Sequence, residues 1–130
     1  MSYRDVEKYV ASVNSEVPKR ALEALKERRV LLLIGKDSRQ SAYVFKSKER
    51  DYLIIPRILC TCKDYEFNVV LRKIKPACYH LITAELAIRR GEVRKIVVDN
   101  EALNDIIYET IYEGFSRTLR KIIAAGGKNQ

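Results

Sequence analysis

The sequence predicts an α+β fold with N-terminal helices, a small antiparallel sheet, a ββα unit and a long C-terminal helix. Short apolar runs of strand length follow one another in the first half of the chain. In the second half, apolar residues recur at steps of three and four, which is the period of a helix. Because 130 residues suffice for one core and no linker or internal repeat interrupts them, we expect a single domain over residues 1–130.

Two helices are predicted at the N-terminus, over residues 3–14 and 18–29. The valines of the first, Val6, Val10 and Val13, share one face. Pro18 suits the first turn of the second helix, after the candidate cap Ser15.

Three strands are predicted next, over residues 30–36, 41–47 and 51–56. The first reads VLLLIGK, a continuous apolar run, and the second alternates in polarity. Since the links KDSRQ and KSKER are polar and turn-like, these strands are expected to form an antiparallel meander. The run EFNVVLR, residues 66–72, is a fourth strand candidate.

Two further helices complete the prediction. One runs from about Tyr79 to Arg90 and is closed by Gly91. The other is long, from about Glu101 to Ala125, and ends at the glycine pair that follows it. Its core-facing stripe consists of Leu103, Ile106, Ile107, Ile111, Phe115, Leu119, Ile122 and Ile123.

Composition and charge limit the possible functions. The net charge is +8, and the excess of bases lies in residues 19–98, which favours a polyanionic partner such as nucleic acid or, more simply, a soluble surface. No segment is apolar and long enough to cross a bilayer, and the start MSYRDVEKYV mixes charges into its apolar positions, unlike a leader peptide. We therefore expect a cytoplasmic protein (nucleoid-associated in a prokaryote, nuclear in a eukaryote) whose thiols are kept reduced.

All three cysteines and the only histidine lie within residues 60–80. In an extended segment Cys60 and Cys62 project from the same face. Pro76 allows Cys78 to sit at a helix cap and His80 in the first turn of that helix, so three thiolates and an imidazole can meet. This set suits one tetrahedral, structural Zn²⁺ per chain.

A disulfide, a catalytic thiol or an inert core suits these four residues less well than a metal does. A disulfide would leave one cysteine over in a reducing compartment. A Cys–His nucleophilic pair needs an orienting acid and a substrate pocket, and four inert core residues would leave the spacing to chance. Because zinc with four protein ligands has no open position and the chain has no G-x-x-x-x-G-K-[ST] motif, we expect no enzymatic activity.

The pattern C-x-C followed by C-x-H at the entry to a helix resembles the SWIM zinc finger, here within residues 57–91. Tyr65, the spacer VVLRK and the segment CYHLITAELA also match that family. From about Val30 to about Ile107 the chain resembles the small stand-alone SWIM proteins of the Shu complex. It departs from the family at Tyr79, where Lys is common, and at Thr83, where the Shu-type branch has Ala.

The resemblance implies a non-catalytic adaptor in homologous recombination and DNA repair. Such proteins pair with a RadA/RecA-type recombinase paralog, an ATPase, and the pair binds DNA and assists recombinase loading. The alternative is a stand-alone nucleic-acid-binding module or regulator that uses the same basic residues without an ATPase.

Two surfaces are candidates for these contacts. A basic cluster beside the finger suits phosphate groups, unless it only balances the thiolate charge; it comprises Arg57, Lys63, Arg72, Lys73 and Lys75. Should this cluster not bind, Arg117, Arg120 and Lys121 near the C-terminus are the next candidates.

The second surface is an acidic stripe on the long helix, suited to a basic partner or simply to solvent. It comprises Glu101, Asp105, Glu109 and Glu113, with Tyr108 and Tyr112 beside it. Because this helix is acidic in its first half and basic in its second, two copies laid antiparallel would form a homodimer with opposite charges in contact.

Overall fold

A five-stranded sheet forms the centre of the protein, whose computed structural model describes residues 19–37 and 39–126. The strand order is β4-β3-β2-β1-β5. The strands are β1 (Val30–Gly35), β2 (Ser41–Lys46), β3 (Asp51–Ile55), β4 (Leu59–Cys60) and β5 (Arg94–Val98). The predicted helix over residues 3–14 lies outside the described residues.

The predicted antiparallel meander of β1, β2 and β3 is confirmed, and β4 continues it with antiparallel pairing to β3. Strand β5 was not predicted. It pairs in parallel with β1, from Leu31↔Arg94 to Gly35↔Val98. A parallel pair needs a long crossover, and the chain between β1 and β5 supplies it.

In the described part of the chain, four α-helices cover the sheet: α1 (Lys19–Lys26), α2 (Tyr79–Arg90), α3 (Asn100–Glu113) and α4 (Arg117–Ala124). One hydrophobic cluster joins α1 and α2 to Val30 and Phe45, and a second joins α3 and α4 to Leu31 and Val44. Since successive strand residues point to opposite faces, helices lie on both sides of the sheet. Burial on both faces explains the continuous apolar run of β1.

The α+β fold class is confirmed, and so are the bounds of α2, which ends before Gly91 with φ 67°. Two predicted elements are wrong in type or length. Residues 66–72 are not a strand, because Tyr65–Leu71 form a π-helix. The long C-terminal helix is two helices separated at Gly114, whose φ is 70°.

Candidate metal centre

Four side chains from two segments, the end of β4 and the start of α2, converge at one point. The sulfur atoms of Cys60, Cys62 and Cys78 and a ring nitrogen of His80 all lie within 4.8 Å of one another, and all four residues are buried. This is the ligand set predicted from the sequence, and its three cysteines are free thiols. Thiolate and imidazole at such distances fit a single metal ion.

The paired ligands Cys60 and Cys62 are positioned by the end of β4. Both are buried, while Thr61 between them is exposed, as the alternation of an extended segment requires. The Thr61 hydroxyl accepts a hydrogen bond from the backbone N–H of Leu53, at 2.9 Å, and so holds this segment against β3. The backbone N–H of Tyr65 donates to the sulfur of Cys62 at 3.2 Å, where the π-helix begins.

The other two ligands are positioned by the start of α2. Cys78 is the residue before the helix and has extended dihedral angles, φ −82° and ψ 166°. His80 lies in the first helical turn. The prediction that a helix start brings these two residues to one site is confirmed.

The imidazole ring of His80 is held by aromatic side chains. Its centroid lies 4.1 Å from the ring of Tyr79 and 4.5 Å from the rings of Phe45 and Tyr52. The Nδ1 atom faces the sulfur of Cys60 at 3.8 Å. These contacts hold the ring with Nδ1 on the side of the Cys60 sulfur.

Burial and mutual hydrogen bonds shift the pKa values of the three thiols in different directions. Hydrogen bonds from Cys60 and Cys78 hold the pKa of Cys62 well below its ordinary value, against the effect of burial. The pKa of Cys60 is raised because its hydrogen bonds to Cys62 and Cys78 and its burial favour the thiol. The hydrogen bond with Cys60 lowers the pKa of Cys78. The hydrogen bond to Cys62 and burial together outweigh this effect and raise the pKa of Cys78 to about 12. A divalent cation at this point would favour the thiolate form of all three cysteines.

Of the five predicted phosphate-binding residues, two are engaged in ion pairs. Arg57 contacts the buried carboxylate of Glu85 through Nε. Lys75 Nζ lies 2.5 Å from Asp64 Oδ2. Lys63, Arg72 and Lys73 are exposed, and Arg72 also approaches Asn68 Oδ1 at 3.5 Å.

A cleft of about 680 Å³ opens beside the metal ligands, with Cys62 and His80 in its wall. It is also lined by Lys63 and by two arginines that the sequence did not single out, Arg20 and Arg50. The guanidinium of Arg20 lies 4.3 Å from the centre of the Tyr79 ring. Arg20 and Arg50 come from α1 and from the turn before β3, and only the fold reveals that they are neighbours of the finger.

The acidic stripe of α3 divides into two parts. Glu109 accepts hydrogen bonds from Ser116 Oγ at 2.8 Å, Thr118 N at 3.0 Å and Thr118 Oγ1 at 2.8 Å, so it serves the start of α4. The other acids, Glu101, Asp105 and Glu113, are exposed, as are Tyr108 and Tyr112.

The predicted antiparallel homodimer assumed one straight helix of opposite charge at its two ends. That helix is broken at Gly114, and the base Arg120 pairs within the chain with buried Asp51. A homodimer through this region stays a prediction, but the extended geometry assumed for it is wrong.

Comparisons with protein-family models, curated proteins and solved structures find no match to this chain. Within the described residues, no helix is long and apolar enough to cross a membrane.

Proposed function

We propose that this protein is a non-catalytic, zinc-binding adaptor in homologous recombination and DNA repair, which binds a RecA-like recombinase paralog and assists DNA binding or recombinase loading. The observation that carries the proposal is the buried set of three cysteines and one histidine. The spacing of these ligands and the helix that follows them resemble a SWIM finger, and the recombination role rests on that resemblance.

Zinc is the metal that best suits the site. It accepts mixed sulfur and nitrogen ligands in a tetrahedron and has no redox cycle to oxidise the thiolates. With four protein ligands the ion would be structural and would join β4, the π-helix and α2. The free energy of folding gained from such an ion is typically about 10 kcal/mol, so this part of the fold is expected to depend on it.

The partner is proposed to dock on the exposed part of the acidic stripe. Glu101, Asp105 and Glu113 have no capping role like that of Glu109, and Tyr108 and Tyr112 lie beside them with ring centroids 4.8 Å apart. An acidic surface with tyrosines suits a basic patch on a second protein.

Metal analysis tests the first part of the proposal. We expect about one zinc per purified chain, and we expect Cys78→Ser to lose both the metal and the cooperative unfolding transition, because ligation and folding are coupled. Thr61→Ser is the matched control, since it lies between two ligands and keeps the hydroxyl that accepts from Leu53. A chain that holds no zinc, yet stays folded after chelation, would disprove the metal assignment.

The cleft favours a second candidate, a nucleic-acid-binding module that acts without an ATPase, because it places Arg20, Arg50 and Lys63 beside aromatic rings. Co-expression with each RecA-like paralog of the native host separates the two functions. The adaptor function predicts a stable complex that Tyr112→Lys weakens. DNA binding by the chain alone, with no complex formed with any paralog, would favour the second candidate.

A further inference from the structure

Five large hydrophobic side chains of the finger are exposed, and we call this set the finger patch: Ile58, Phe67, Val70, Leu71 and Ile74. These side chains are between 45% and 68% exposed, which is high for large hydrophobic residues. Isolated exposed hydrophobic residues are normal, but five within one short segment indicate an interaction site.

The π-helix supplies three of the five patch residues, Phe67, Val70 and Leu71, because one of its sides faces the core and the other is exposed. Tyr65 and Val69 face the core and are 6% exposed. Phe67 and Leu71, four residues apart, lie on successive turns of the exposed side. The hydroxyl of Tyr65 donates to the backbone carbonyl of Ile58 at 2.5 Å, so the turn that carries Ile58 is fixed beside the π-helix. The patch is therefore held by the same segment that carries the metal ligands.

The charged rim of the finger patch is basic. Lys63, Arg72 and Lys73 are exposed within the same segment, against one exposed acid, Glu66. A surface that binds here is accordingly expected to combine apolar or aromatic side chains with carboxylates.

Helix α3 of the same chain presents such a surface, which we call the α3 stripe: Glu101, Asp105, Tyr108 and Tyr112. At 3.6 residues per turn these positions fall within an arc of about 60°. Tyr108 is 61% exposed and Tyr112 is 74% exposed. Residues 99–113 contain five acids and no base, so the stripe is opposite in charge to the rim of the finger patch.

We propose that the finger patch binds the α3 stripe of a second copy of this chain, in a head-to-tail contact. A symmetric contact of patch with patch, or of stripe with stripe, would bring like charges together. A contact between two different surfaces leaves one of each free on the pair, so assembly continues into a ring or an open chain. The proposal goes beyond the adaptor function. Because the recombinase partner is proposed to dock on the same stripe, a given α3 stripe would bind either the partner or a second copy of this chain, and binding of the paralog would compete with assembly.

Two single-surface variants of the full-length, zinc-loaded protein test this contact by light scattering. We expect the mean mass of the wild type to rise with concentration, and we expect both the patch variant Leu71→Asp and the stripe variant Tyr112→Lys to stay monomeric. Mixed in equal amounts, the two variants should form a one-to-one dimer and stop there, because the mixture retains one intact surface of each kind. Raising the salt concentration to about 0.5 M should weaken association of the wild type roughly tenfold, since the contact is between opposite charges.

Leu22→Asp is the matched control, because Leu22 is also exposed, at 38%, but lies on α1 outside both surfaces. It should assemble like the wild type, and zinc content shows that every variant is folded. A wild type that is monomeric at all concentrations would overturn the proposal. So would a wild-type dimer whose single-surface variants fail to combine, because that result indicates a symmetric contact. Zinc content and paralog binding are measured separately, so failure here leaves the proposed adaptor function intact.

Discussion

Within the acidic stripe, Glu109 is the residue whose carboxylate has a structural role in the fold. Burial alone would raise its pKa, but the backbone N–H of Thr118 and the hydroxyls of Ser116 and Thr118 donate to its carboxylate and lower the pKa below the ordinary 4.5. The carboxylate therefore joins α3 to the first turn of α4, where the helix dipole also favours a negative charge.

Replacing this carboxylate should produce a pH-dependent loss of stability. Glu109→Gln is expected to cost about 1–2 kcal/mol at neutral pH. This is below the range of about 1.5–3 kcal/mol for hydrogen bonds to a charged group, because the Glu109 side chain is partly exposed to solvent. Because the folded-state pKa is lowered, the stabilisation is present above about 4.5, the unfolded value, and is lost as the pH falls through the folded value. Urea unfolding of the wild type and the variant measures this difference, which should be constant from pH 8 to pH 6 and shrink in acid.

Glu113→Gln is the control for that measurement, since Glu113 is exposed on the same helix. It should change stability little at any pH. If the two variants lost equal stability, Glu109 would have no special role at the start of α4.

The metal ligands could be predicted from the sequence because their geometry is local. Cys60 and Cys62 are two residues apart in an extended segment, and Cys78 and His80 flank a helix start. The residues that surround them are not local in sequence. Phe45 and Tyr52 reach His80 from β2 and β3, and no spacing rule relates those strands to the finger.

At the scale of elements, the break between α3 and α4 shows that a helical spacing of apolar residues does not prove one continuous helix. The apolar residues continue at helical spacing across the break because both helices pack on one face of the sheet, where Ile106 and Leu119 join the same cluster. The local signals for a break were present. Gly114 takes φ 70°, and the hydroxyl of Ser116 accepts from the backbone N–H of Leu119 as a helix cap.

The π-helix shows the opposite case, in which local hydrogen bonds and burial of one side override the strand propensity of the segment. The segment EFNVVLR is rich in strand-forming residues. It winds instead, because Asn68 Nδ2 donates to Asp64 at 2.7 Å and the backbone N–H of Arg72 bonds to the carbonyl of Phe67. Burial of Tyr65 and Val69 beside the metal ligands stabilises this turn, and no sequence period could have revealed it.

The turn between α3 and α4 should be sensitive to substitution. Gly114→Ala is expected to cost about 1–2 kcal/mol, because a left-handed residue with a Cβ is strained. Gly91→Ala is the matched control: its φ is 67°, and nothing lies within 4 Å of its added Cβ, whereas the Cβ at Gly114 would lie 2.9 Å from Arg50 Nη1. Thermal unfolding should show a lower stability for both variants. The loss should be larger for Gly114→Ala because of the contact with Arg50, but only slightly, because the end of the Arg50 side chain can move aside. A larger loss for Gly91→Ala would contradict a steric contribution from Arg50.

At the scale of the whole molecule, the cleft beside the metal ligands carries more bases than acids. The chain carries +8, and the cleft brings together Arg20, Arg50, Lys63 and Lys75 against Asp51 and Asp64. Three thiolates with one Zn²⁺ would carry a net charge of −1, which this excess of bases would offset. Lys75 also lines the cleft, where it pairs with Asp64, and Arg57 pairs with Glu85, so Arg20, Arg50 and Lys63 are the cleft's candidates for phosphate contacts.

Charge reversal in the cleft tests that assignment. The double variant Arg50→Glu, Lys63→Glu should bind a labelled oligothymidylate at least about tenfold more weakly than the wild type. It should also flatten the slope of log K against log salt by about 1.4, since each phosphate contact to a single strand contributes about 0.7. Fluorescence anisotropy at several salt concentrations gives both numbers.

The control variant Lys36→Glu, Lys95→Glu makes the same change in net charge at two exposed positions outside the cleft lining, and it should keep the wild-type slope. A third variant, Arg72→Glu, Lys73→Glu, tests the basic cluster predicted from the sequence. If that third variant flattens the slope and the cleft variant does not, the phosphates lie along the finger and the assignment to the cleft is wrong.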